Sequence, residues 1–252
     1  MSARSDRRGV SDTIGFVFIF AMIVATIGLV LAGGLTALES VRDVERVDNA
    51  QRAFDVLAEN VDDVRFDGAP SRATEIKLSD ASLSLGDPVT VNVSATDTSS
   101  PGRSFSTEYT TRPVVFEAAE SRVVYTMGVV FREGSGGAAA AVRSPSLVAT
   151  DERVVLSVLV TRARSGASVA GSTTVLVRTN RATQRVVTAS EEPFDAVYLN
   201  VTSPRAGAWA RELDGRGDLS CSHDAATDTA RCEVRNVART YVSVVEVDVT
   251  FE

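Results

Sequence analysis

Lysine and histidine are almost missing from this sequence. Lys77 is the only lysine among 26 basic residues, and His223 is the only histidine. No arginine stripe alternates with aromatics, and the formal net charge is −7. The chain therefore lacks the electrostatic footprint of a nucleic-acid binder. Asp and Glu together total 33. An acidic surface whose cations are arginines suits a protein that must stay hydrated in concentrated salt, where long-range charge effects are screened. It points to a halophile.

Thiols are equally scarce. Two cysteines and one histidine cannot complete a zinc site unless carboxylates join them. A Ser-His-Asp arrangement would have to use His223, yet no Gly-x-Ser-x-Gly or other nucleophile signature is present. Cys221 and His223 could form a thiol–imidazole pair only if Cys221 were free. No glycine-rich phosphate loop occurs. Asp214-Gly215-Arg216-Gly217-Asp218 lacks the alternating acids and terminal Glu of a calcium loop and reads as a turn. Glu191-Glu192 and Asp62-Asp63 read as solvated charge. These absences predict a protein that is not an enzyme and that holds no cofactor or metal. Cys221 and Cys232 share one short stretch. In an oxidising compartment they read as a disulfide closing a hairpin, the alternative being two unpaired thiols.

A long hydrophobic run is what the sequence does have. Ile14 to Leu38 contains no charge and at about 1.5 Å per residue is long enough to span a bilayer. Arg4, Arg7 and Arg8 precede it, and Glu39 and Asp43 follow. The positive-inside rule then predicts a cytoplasmic N-terminus and an extracellular remainder. A conventional signal peptide has an apolar region of about 7–15 residues, shorter than this one. A twin-arginine signal at Arg7-Arg8 fits poorly with Asp6 and Gly9. An anchor, uncut or trimmed before the helix, fits best.

The stretch Arg8-Gly9-Val10-Ser11-Asp12-Thr13-Ile14-Gly15 resembles the class III signal peptide of archaeal type IV pilins and pilin-like proteins. That resemblance implies cleavage between Gly9 and Val10 by a prepilin-type peptidase on the cytoplasmic side. It implies a mature chain that keeps its hydrophobic helix, and pilin-like subunits as partners besides membrane lipid. Ser203, Pro204 and Trp209 also match a Ser-Pro-x-x-x-x-Trp stretch found near the C-terminus of similar proteins in halophilic archaea.

Beyond the run, Val47, Ala50, Phe54, Leu57, Val61 and Val64 recur at alternating spacings of three and four. That is one face of a helix. Charged residues such as Asp48, Arg52, Asp55 and Arg65 mostly fall elsewhere. No proline interrupts the chain before Pro70, and Gly68 provides a stop. One helix from Val10 to about Phe66 follows, with Gly33-Gly34 as its expected bend. The apolar stripe fits either packing against the chain's own head or a coiled-coil-like stalk.

After Pro70 the period becomes two. Strands are expected around 76–78, 83–85, 89–93, 114–117, 122–131, 153–161, 168–179, 185–189, 196–202, 219–223, 231–237 and 242–251. Val154 to Val160 is nearly all apolar and reads as central. Ser203 reads as an N-cap and Pro204 as the first residue of a short helix ended by Gly215, with Trp209 and Leu213 packing it down. Asp97–Ser106 and Gly134–Ala141 read as exposed loops. Two glycosylation sequons, at Asn92 and Asn200, lie on predicted strands with Asn opposite its valine neighbours.

The predicted fold is α+β but mainly β: a transmembrane helix continuing into an amphipathic one, then an antiparallel sandwich-like head with one short C-terminal helix. The segments are a basic leader (1–9), a transmembrane helix (10–38), its amphipathic extension (39–68) and an extracellular head (70–252). Two readings of function stay open, a pilin-like subunit or accessory protein of the cell surface and an anchored ectodomain that binds a surface polymer or partner.

Overall fold

The computed structural model describes residues 8–252 except 135 and 167, with side chains described from Thr13 onward apart from 34–40, 101 and 165. The leader arginines Arg4 and Arg7 lie outside the described residues. One helix, α1 (Arg8–Arg65), opens the chain. Its helical hydrogen bonding runs through Gly33 and Gly34 without a break. Gly68 ends it by adopting a φ of +77°, a conformation that carries no steric penalty only for glycine. The Ala69 N–H then donates to the Asp63 carbonyl at 3.1 Å.

The β region begins with β1 (Ser71–Lys77), β2 (Ala81–Leu85), β3 (Val89–Thr96), β4 (Phe105–Thr111), β5 (Val114–Ala118), β6 (Ser121–Thr126), β7 (Val129–Glu133) and β8 (Ala139–Arg143). It continues with β9 (Val148–Ala149), β10 (Val154–Ser165), β11 (Ser168–Gly171), β12 (Thr174–Ser190) and β13 (Phe194–Thr202). Helix α2 (Ala206–Leu213) precedes β14 (Ser220–Asp224), β15 (Thr229–Val237) and β16 (Thr240–Phe251). These strands form three sheets: β1-β12-β16-β10-β9, β11-β2-β5-β6-β7-β8, and β14-β15-β13-β3-β4.

The chain divides into two compact units, Met1–Glu45 and Arg46–Glu252. The second half of α1 therefore belongs with the β strands. All six residues of its apolar stripe are buried, Phe54, Leu57 and Val64 completely. They share one core with Ile76, Leu83, Phe116, Tyr125, Leu159 and Val247. Those partners come from the first and second sheets, so the helix is enclosed between the two. Polar contacts hold it on both sides. Asn60 Nδ2 donates to Thr74 Oγ1 of β1 at 2.8 Å, and Arg132 of β7 donates to Asp48 at 2.6 Å. A stalk with a solvent-facing seam would leave this stripe uncovered.

The first sheet is apolar on both faces for the same reason. Leu159, Val245 and Val247 face the helix core. Val158, Val160, Val242 and Val244 face a second core shared with the third sheet and α2. β10 and β16 pair in parallel, from Val154↔Thr240 onward, where an all-antiparallel head was expected. Parallel pairs need a long crossover and cover on both faces. Here the crossover is the chain from β11 to β15, and both faces are covered.

Other boundaries differ from the sequence reading. Residues 122–131 form two strands, because Met127 and Gly128 make a two-residue turn with φ of 50° and 87°. Positive φ at both positions is the hairpin geometry that Asn-Gly normally announces, and Met-Gly carries only half of that signal. Residues 174–190 form one long strand whose register shifts near residues 182 and 187. Ala139, Ala140 and Ala141, expected in a loop, pair with β7 as part of β8. The 97–106 loop gives way to β4 at Phe105.

Helix α2 starts at Ala206, two residues after Pro204. Ser203 Oγ accepts from the Arg205 N–H at 3.1 Å and makes the turn before the helix, not its cap. Trp209 and Leu213 are buried, with Trp209 edge-on to Phe131 at 5.3 Å. Arg205 and Glu133 form an ion pair that ties the helix entry to β7.

Candidate functional site

Two regions carry the chemistry available to this chain: the first half of α1 and the outer face of the third sheet. Thr13–Gly33 is one helix long and apolar enough to cross a membrane. Phe16, Phe18, Met22, Leu29 and Val30 are all at least 69% exposed. Apolar side chains bare on every side of a helix match hydrocarbon surroundings better than water. Thr26 Oγ1 donates to the Met22 carbonyl at 2.8 Å, so its hydroxyl needs no partner outside the helix. Gly9 and Val10 lie in the first turn of α1.

The cysteines are joined. Cys221 and Cys232 are register partners on β14 and β15, and their sulfurs form a disulfide across the hairpin. Cys221 is thus no nucleophile beside His223. The imidazole is exposed and lies over Gly207 of α2, where a Cβ would meet Nδ1 at 3.2 Å. Gly207 is what lets β14 approach the helix. The Asp214–Asp218 stretch is a turn whose carboxylates are spent on backbone. Asp214 accepts from the Cys221 N–H and Asp218 from the Asp151 N–H, each at 2.9 Å. Among the described residues no group of three His, Cys, Asp or Glu is placed to hold a metal ion.

The third sheet has one apolar and one polar face. Val91, Val93, Val201 and Cys232 point into the core. The opposite face presents polar side chains across all five strands. One row runs Glu108, Asn92, Asn200, Arg231, Ser222, each paired with the next by strand register. The next row runs Ser106, Ser94, Tyr198, Glu233, Ser220. Beside Asn200 the β13–β15–β14 surface forms a groove of about 380 Å³, walled by Tyr198, Ser222, Arg231 and Glu233. Its charges are locally balanced, since Arg231 pairs with Asp224 at 2.7 Å and Arg235 with Glu233 at 2.7 Å.

Asn92 and Asn200 are direct cross-strand partners. Alternation along each strand gives each asparagine an outward face, but no sequence signal places the two side by side. Their strands are separated by a hundred residues of chain, and only the sheet order joins them.

Where β3 leaves this sheet, Asp97 is buried under its own loop. It accepts from Ser99 Oγ at 2.7 Å, from the Ser99 and Ser100 N–H groups at 3.0 and 2.8 Å, and from Arg103 at 2.8 Å. The Ser99 hydroxyl is the largest influence, and together these donors hold its carboxyl below the usual carboxylate range against the opposing effect of burial. Asp195 is lowered likewise, chiefly by the Thr98 hydroxyl.

A search of curated proteins and a search of solved structures each returned no match. A family model does match, over residues 8–250, and so takes in both the apolar helix and the whole β head. On that match the chain belongs to a family of unknown function, DUF7289.

Proposed function

We propose that this is a non-enzymatic, pilin-like protein of the cell surface, a subunit or accessory component anchored by α1. The observation that carries the reading is the double use of that helix. Its first half is apolar on all sides, and its second half is the centre of one of the two cores of a β head. A head that keeps the second half of its anchor helix inside itself cannot be trimmed at the helix–strand junction without losing buried core residues, which suits a structural subunit better than a shed enzyme. The resemblance of residues 8–15 to a class III signal peptide supports the same reading, with cleavage before Val10 by a prepilin-type peptidase. The three leader arginines support a cytoplasmic N-terminus and an extracellular head.

The test is the mass of the mature N-terminus in protein extracted from its own membranes, combined with the fate of the protein after shearing. The proposal expects a chain beginning at Val10 that sediments with surface filaments. A chain that keeps Arg4–Gly9 and stays wholly in detergent-soluble monomers would contradict it. The anchored ectodomain that binds a surface polymer through the groove beside Asn200 would then be the better account.

A further inference from the structure

We propose that the outer face of the third sheet is a single N-glycosylation site, used at Asn200 and not at Asn92. The inference rests on the reading that the head lies outside the cell. Both asparagines head a sequon, Asn92-Val93-Ser94 and Asn200-Val201-Thr202. Both strands are interior to the sheet, β13 between β15 and β3, and β3 between β13 and β4. Directly opposed residues in an antiparallel pair have Cβ atoms only about 5 Å apart. Two glycans rooted there would occupy the same space above the sheet.

The surroundings of the two amides differ. Asn92 is hemmed between Asn200 on one side and Glu108 on the other, and its Nδ2 donates to Ser106 Oγ at 3.1 Å. Asn200 opens onto the groove of about 380 Å³. That volume lies within the range of small-ligand pockets. Tyr198 offers a ring wall, and Arg231 and Glu233 offer hydrogen-bond partners to sugar hydroxyls. A first sugar on Asn200 stands at the groove and its partners, whereas Asn92 lies outside the groove's lining and keeps its Nδ2 on Ser106.

The chemistry also sets the timing. Asn200 Nδ2 bonds to the anomeric carbon of a lipid-phosphate-linked sugar donor. The anomeric C–O bond breaks, the lipid phosphate leaves, and the amide proton passes to the transferase's base. A transferase must bend the sequon out of the strand, and in the closed sheet both edges of β13 are hydrogen-bonded to neighbours. Transfer therefore precedes closure of the third sheet. Closure then sorts the products: it admits a chain whose one glycan stands at the groove on Asn200 and rejects a chain with a glycan on Asn92, whether alone or beside a second one.

Protease shaving of intact native cells, with glycopeptide mapping of the released and membrane-bound protein, tests this. Trypsin separates the sites into residues 78–103 and 186–205. The expected result is one glycan per chain, on 186–205, lost in Asn200→Gln and kept in Asn92→Gln. A glycan on 78–103, two glycans on one folded chain, or none on a head that shaving releases would overturn the inference alone. A head that protease cannot reach would overturn the surface reading and the glycan together.

Discussion

At the scale of single residues, Arg65 ties the last turn of α1 to β10. The charge pattern places it on the solvated side of the helix, yet its side chain is 2% exposed. One Nη donates to Asp62 at 3.1 Å, the other to the Ser157 carbonyl of β10, and the guanidinium lies over Phe66 at 4.7 Å. Gly128 makes room for it, because a Cβ there would sit 2.9 Å from its Nη1. Leaving a buried hydrogen-bond partner such as the Ser157 carbonyl without its donor typically costs about 1–3 kcal/mol. Arg65→Ala should lower unfolding stability by that order in denaturant titration, whereas an exposed arginine such as Arg164 should cost under about 1 kcal/mol on truncation. Periodicity could not reveal this residue, since it reads only which face is apolar. Acid stability also belongs to this scale. Asp97 and Asp195 have folded pKa values below the ordinary 3.8. Their contribution is full above that value and is lost as pH falls through the lower folded values. Thermal stability should therefore decline below about pH 4. Asp97→Asn should lower the midpoint at neutral pH and flatten that acid limb, as followed by circular dichroism.

At the scale of elements, the readable pieces were those with long, strong periodicity. The second half of α1, the strands β3, β10 and β16, and the hairpin bearing the cysteines all follow from spacing. The parts that were not readable share a cause, which is weak local signal overridden by tertiary pairing. β8 is an alanine-rich edge strand held by β7, and the β6–β7 turn uses Met127 where Asn is the usual cue. The parallel pairing of β10 with β16 joins strands far apart in sequence, which no local pattern encodes. Among elements, the β14–β15 hairpin gains most from a covalent link. Its disulfide closes a loop with a sequence separation of 11, for which chain entropy predicts a contribution of about 3 kcal/mol. Reduction should lower the unfolding midpoint without loss of strand content, and Cys221→Ser with Cys232→Ser should match the reduced protein. Equal midpoints in the oxidised and reduced proteins would contradict that assignment.

For the whole molecule, one helix carries a bare apolar stretch long enough to cross a membrane in its first half and packs as core in its second, the first half being the proposed anchor. The sequence allowed either a stalk or a packed helix after residue 38, because an amphipathic stripe does not name its partner. Burial decides between them, since Phe54, Leu57, Ala58 and Val64 have no exposed surface. Full burial of each large apolar side chain contributes roughly 1.5–3 kcal/mol, and the stripe sums to a stabilisation comparable with the whole usual margin of a domain's stability. A head cut at the helix–strand junction would therefore lack the centre of the core between its first and second sheets. The site residues were legible as motifs, two sequons and two cysteines, while their placement on one sheet, the asparagines on its outer face and Cys232 on its inner, was not. The most direct measurement compares unfolding of residues 46–252 with that of residues 70–252. The account predicts a cooperative transition for the first and none for the second, which should show only residual strand signal and no protected amides. A cooperative, equally stable fold from residues 70–252 would contradict it and return the second half of α1 to the role of a stalk.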